Sequence, residues 1–129
     1  MELTVGMSHT LELTVTEKHT AKAVASGLLE VYATPMLAAM MEEAAMLAVS
    51  PALAEGQGTV GISLNLKHIA ATPVGGHVRT TATLTEIDRR RLVFEIESFD
   101  DKELIGTCTH ERFIIDNEKF MAKVSAKCE

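Results

Sequence analysis

The apolar and polar positions of this chain fall into two regimes, one with a period of two and one with almost no polar face. From Ser8 to Thr16, Leu11, Leu13 and Val15 alternate with Thr10, Glu12 and Thr14, the pattern of a strand with one buried face. Val60, Ile62, Leu64 and Leu66 alternate in the same way with Gly61, Ser63, Asn65 and Lys67 across Thr59 to Ile69, and His68 falls on the apolar side. Three more strands are predicted, from Val78 to Ile87, Leu92 to Phe99 and Leu104 to Ile115. Polar turns at Asp88–Arg91 and Asp100–Glu103 join them, and Thr72-Pro-Val-Gly-Gly76 interrupts the sheet before the first. These four later strands read as an antiparallel meander.

The second regime is helical. Between Met36 and Val49 only Glu42 and Glu43 are polar, so the helix has no broad solvent face and must be wrapped by protein. Thr34 before Pro35 reads as its start, the hydroxyl capping a free amide and the proline losing no hydrogen bond. Ser50-Pro51 ends it, and Gly56-Gln-Gly58 turns the chain. At about residues 35–49 it is too short and too interrupted to cross a bilayer, which needs roughly 20 apolar residues. Thr20 to Leu29, rich in small residues, reads equally as a short helix or as a loop over a cavity. Asn117 to Lys127 reads as a peripheral terminal helix or a frayed tail.

One strand, one buried helix and then antiparallel strands is the order of a sheet curled around a central helix, an α+β arrangement of the hot-dog type. Residues 1–129 are expected to form one such domain. Its sheet edges and the exposed helix end are most simply covered by a second copy, so a homodimer is expected.

A net charge of −6 argues against nucleic acid as a partner. The two cysteines, Cys108 and Cys128, follow no redox or metal spacing and read as reduced thiols. No secretory pattern opens the chain, and a cytoplasmic location without membrane contact is expected. The five histidines lack ligand spacing, so neither a metal nor another cofactor is expected.

Chemistry is best sought on the helix. Adjacent helical residues point about 100° apart, so at most one of Glu42 and Glu43 faces the deepest packing. A carboxylate aimed into an apolar site has partners or a task. Glu42, His68 and Thr34 are the side-chain types that activate water or a nucleophile for acyl transfer. Thr34 and Glu42 are separated by a helical rise of roughly 12 Å. Either a substrate spans that gap, or a two-fold interface joins Thr34 of one subunit to Glu42 or His68 of the other. Free amides near Pro35 and Met36 could also polarise a carbonyl.

Glu30-Val-Tyr-Ala-Thr34, Met41-Glu42, Lys67-His68 with Thr72-Pro-Val-Gly-Gly76, and His110-Glu-Arg-Phe within Gly106 to Phe113 together resemble the fluoroacetyl-CoA thioesterase group of the hot-dog superfamily. The resemblance covers nearly the whole chain. It implies a catalytic set at Thr34, Glu42 and His68, with Gly61 and Arg112 lining the substrate site and Glu43 left on the rim. The aromatic lid of the fluoroacetyl-specific enzyme falls on Ala25 and Leu28, so Leu28 takes a substrate-facing position without an aromatic ring. The implied activity is hydrolysis of a short-chain acyl-CoA to free acid and CoA, with coenzyme A entering only as part of the substrate. Arg89, Arg90 and Arg91, or Lys67 and Arg79, could meet its phosphates. Two alternatives are a non-catalytic module binding an acyl thioester or small apolar ligand, and a dehydratase or hydratase. The helix lacks the Asp and His that the latter uses.

Overall fold

In the computed structural model, which describes residues 1–129, the alternating segments pair into one five-stranded antiparallel sheet. The strands are β1 (Ser8–Thr14), β2 (Gln57–His68), β3 (His77–Asp88), β4 (Arg91–Asp100) and β5 (Leu104–Asp116), in the spatial order β1-β3-β4-β5-β2. Only β3, β4 and β5 form a meander. The β3–β4 hairpin closes at Asp88 opposite Arg91, with Arg89 at φ 59° supplying the left-handed turn. β2 does not precede β3 in the sheet, as a four-strand meander requires; it lies against β5 and leaves β1 and β2 as the two edges. The connection from Ile69 to Gly76 is too long for a hairpin. It passes over the helix start instead, where the Tyr32 amide donates to the Thr72 carbonyl at 2.8 Å.

The helix α1 (Thr34–Val49) lies in the hollow of the sheet and buries Leu37, Met40, Met41, Ala44, Ala45, Ala48 and Val49. Its alanines let the backbone approach β1 and β3, while Leu37 and Met41 reach β5. Gly106 on β5 makes room for them: a Cβ there would lie 2.9 Å from Leu37 Cδ2 and 3.3 Å from Met41 Cε. The helix ends where Pro51 requires, in a short 3-10 turn at Ser50–Ala52. Its start differs from expectation. Ala33, not Thr34, is the N-cap, and no side chain caps the helix. Thr34 is the first helical residue and its hydroxyl has another partner. Residues 20–30 form turns rather than a helix, pinned by a bridge between Thr20 and Tyr32, with Ala25 at φ 61°. The terminal helix α2 (Asn117–Ser125) buries no residue. No helix is long and apolar enough to cross a membrane.

Strict alternation would put Gly61 and His68 on opposite faces of β2, because they are an odd number of residues apart. A register shift between Gly61 and Ser63 inserts one extra residue, Ile62. Thr59 and Gly61 before it, and Leu64, Leu66 and His68 after it, thereby share the face toward α1. The single buried stripe expected through Val60, Ile62, Leu64 and Leu66 does not form, and Ile62 is 52 % exposed. The apolar positions are real, but the extra residue changes their phase.

Replacing Gly106 with Val should lower stability by about 1–3 kcal/mol, because its branched side chain enters space already filled by two fully buried neighbours. Urea denaturation would measure this, and an unchanged midpoint would contradict the packing described.

Candidate active site

Thr34 enters the helix without a capping duty, and its Oγ1 lies 2.8 Å from Nδ1 of His68 at the end of β2. The opposite ring nitrogen, Nε2, is buried and has no hydrogen-bond partner. Burial pushes the His68 imidazole below its usual value, favouring the neutral ring. Both residues line an open cavity of about 270 Å³ whose wall includes Val31, Tyr32, Ile69 and Ala70. Few free amides remain at the helix start. Pro35 has none and the Met36 amide donates to the Ala33 carbonyl at 3.0 Å, so the expected amide cluster there reduces to Thr34 itself.

Glu42 lies elsewhere. Its side chain is 44 % exposed, and Oε2 is 3.7 Å from Nη1 of Arg112. Glu42, Gly61, Ile62, Ser63, Leu64 and His110 line a shallow hollow of about 220 Å³ beside the free edge of β2. The apolar surroundings expected for this carboxylate are therefore replaced by a cation and an imidazole. Gly61 is required by the close approach: a Cβ there would stand 2.7 Å from Glu42 Oε2 and 3.2 Å from His110 Cε1. Glu43 is exposed, at the edge of a separate groove between β1 and α1.

Arg112 is buried, with its guanidinium fixed on three sides. Nε donates to Thr59 Oγ1 at 2.8 Å, Nη2 donates to the Thr59 carbonyl at 2.9 Å, and Nη1 lies 3.2 Å from Nε2 of His110. His110 in turn has Nδ1 2.7 Å from the Ser63 carbonyl. Sequence reasoning assigned His110 no role. The available signal was its two-residue spacing from Arg112, which puts both on one face of β5.

Within one chain, then, Thr34 and His68 meet, Glu42, Gly61 and Arg112 meet, and the two groups open into different hollows. Leu28 lines neither and is 89 % exposed. Two of the three turn arginines are occupied: Arg91 by Glu86 and Glu111, and Arg90 by Asp116 and the Ile114 carbonyl. No three His, Cys, Asp or Glu side chains are placed to hold a metal ion.

The sequence pattern of the fluoroacetyl-CoA-specific thioesterase family matches residues 15–118. The chain belongs to this family of thioester hydrolases. It is 42 % identical over 98 residues to the fluoroacetyl-CoA thioesterase of Streptantibioticus cattleyicolor, a match covering 76 % of this chain and 70 % of that one. A variant of the fluoroacetyl-CoA thioesterase solved with acetyl-CoA superposes with a TM-score of 0.93 at 34 % identity, covering 98 % of this chain and all of the other. A thioesterase superfamily member from Thermus thermophilus gives 0.87 at 26 % identity, covering 98 % and 97 %. These neighbours establish the hot-dog fold of this family member.

Burial holds both His68 and His110 below the usual imidazole value. The unfolded chain therefore takes up protons on them before the folded chain does. As pH falls through about 6.5 the family member should lose stability, and this loss should stop once the pH passes below the folded values. Urea midpoints across that window would test it; a midpoint that rose on acidification would reverse the sign and refute the burial argument.

Proposed function

We propose that the protein hydrolyses a short-chain acyl-CoA, using Glu42, His68 and Thr34 assembled across a homodimer interface. The observation that carries this reading is the Thr34–His68 pair at 2.8 Å beside an open cavity, with the second ring nitrogen, Nε2, buried and unpartnered. An imidazole in that state can accept a proton from water and return one to a leaving thiolate. Glu42, beside the Arg112 cation, supplies the carboxylate that attacks the thioester carbonyl or activates the water. The Thr34 hydroxyl and amide hold the carbonyl oxygen as it becomes negative. Gly61 and Arg112 shape the acyl site. With Glu42 as base, water adds to the carbonyl, the C–S bond breaks and CoA leaves as the thiol; with Glu42 as nucleophile, its oxygen displaces CoA to form a mixed anhydride that water then hydrolyses, releasing the acid and restoring the carboxylate.

Two features support a second subunit. The free edge of β2 offers unpaired backbone groups along a long strand, with Ile62 and Leu64 exposed on it. Pairing this edge with its two-fold copy would place the Glu42 hollow of one subunit near the Thr34–His68 cavity of the other, resolving a separation that one chain leaves open. It would also give the exposed Leu28 a site to face. The acyl group is read as small and unfluorinated, since Ala25 and Leu28 offer no aromatic cover and a family relative accommodates acetyl-CoA. Such a reaction needs no metal or other cofactor and suits the cytoplasm, where acyl-CoA is available.

Free thiol release from a panel of acyl-CoAs tests the activity. Glu42→Ala should lower kcat by about three orders of magnitude with an unchanged circular dichroism spectrum, whereas near-normal turnover would remove Glu42 from the mechanism. Ile62→Lys should shift sedimentation from dimer to monomer and abolish most turnover, because a charge on the edge opposes strand pairing. A fully active monomer would show that one chain suffices.

A further inference from the structure

His110 lies outside the proposed catalytic set, yet its surroundings leave it one chemical state. The Ser63 carbonyl can only accept a hydrogen bond, so Nδ1, 2.7 Å away, must carry a proton. Arg112 can only donate, so Nε2, 3.2 Å from Nη1, must present its lone pair. The ring is therefore neutral and its tautomer is set by its partners. It is almost completely buried, with the Phe94 ring packed beside it.

This arrangement constrains Arg112. Thr59 holds Nε and Nη2, and His110 holds Nη1, which leaves that nitrogen 3.7 Å from Glu42 Oε2, beyond hydrogen-bond distance. A guanidinium without the His110 restraint would close onto the carboxylate as a hydrogen-bonded pair. Glu42 would then share its lone pairs with Arg112, making a poorer nucleophile or base. The ordinary ladder cannot supply this restraint. The register shift between Gly61 and Ser63 accompanies the Ser63 carbonyl's side-chain bond to His110 and the close approach of Gly61 to Glu42.

We propose that His110 is a positioning residue for hydrolysis: anchored by the Ser63 carbonyl, it holds the Arg112 guanidinium near Glu42 but short of a closed ion pair. The inference rests on the role given to Glu42 above. The charged groups around the ring are Arg112 and Glu111 from β5 and Glu42 from α1; β4 contributes Phe94, and β2 contributes the Ser63 carbonyl.

The test compares His110→Asn, whose short amide can keep the donor toward Ser63 but cannot carry its oxygen to the Nε2 position beside Arg112, with His110→Gln, whose longer amide can reach Arg112. On acyl-CoA, His110→Asn should lower kcat by about 100-fold with KM changed less than about threefold, and His110→Gln should recover at least about tenfold of that loss. A kcat within about threefold of the parent in His110→Asn, or equal losses in both variants, would overturn the proposal. Glu42→Gln is assayed in parallel. If it retains turnover, the role of Glu42 fails; if it is inactive while His110→Asn is not, only the His110 proposal fails. Nitrogen-15 NMR of the unmodified protein near neutral pH reads the tautomer even if a variant does not fold. A protonated Nδ1 with a bare Nε2 is expected, and the reverse tautomer or an imidazolium would refute the arrangement.

Discussion

A buried guanidinium governs the architecture at one end of this sheet. Arg112 is only 6 % exposed, and a charge withdrawn from water is tolerated only where hydrogen bonds and an opposing charge replace the lost solvent. Here the replacement comes from three elements at once: the hydroxyl and carbonyl of Thr59 on β2, the ring of His110 on β5 and the carboxylate of Glu42 on α1. The Ser63 carbonyl that anchors His110 follows the extra residue at Ile62. The register shift brings Gly61 under Glu42, where a methyl group would be too large, and returns Leu64, Leu66 and His68 to the helix-facing side. One irregularity in one edge strand thus determines where both halves of the proposed site can be.

The same strand is one free edge of the sheet. β2 carries two features that ordinarily discourage edge pairing, the register shift at Ile62 and the exposed Lys67, yet it also exposes Ile62 and Leu64 next to a hollow lined by Glu42. The other hollow holds a histidine whose Nδ1 meets Thr34 on the exposed side and whose Nε2 is buried and unpartnered. Buried polar atoms normally have partners, and the buried, unpartnered Nε2 of His68 stands out for that reason.

Much of this was legible in the residues. Near-continuous apolarity from Met36 to Val49 revealed the wrapped helix, Pro51 its end, and the alternating segments the five strands. The separation of Thr34 and Glu42 along one helix indicated that they would not meet within a chain, and in the fold they open into different hollows. Other features were hidden for physical reasons. Alternation specifies which faces are apolar but not which strands are neighbours, so the transfer of β2 to the far side of β5 had no local signature. An added strand residue leaves composition untouched while reversing the phase of everything after it. The environment of Glu42 was misread as apolar because the helix pattern is blind to what β2 and β5 bring opposite it. His110 was passed over because its significance is relational, created by a carbonyl on β2 and a guanidinium two residues along its own strand.

The helix start shows how a local rule can give way to a tertiary one. Thr before Pro is a sound signal for a capping hydroxyl, and an uncapped helix forfeits about 1 kcal/mol of stability. The chain instead places Ala33 at the cap and directs the Thr34 hydroxyl to His68. The cap is dispensable because helix stability here comes from enclosure: Leu37, Met41, Ala44 and Ala45 are completely buried. A helix held so firmly by its packing can release its first side chain for other work. That release is what allows the most helix-like segment of the sequence to present polar groups at both its first turn and its middle, Thr34 and Glu42, without losing its place in the core.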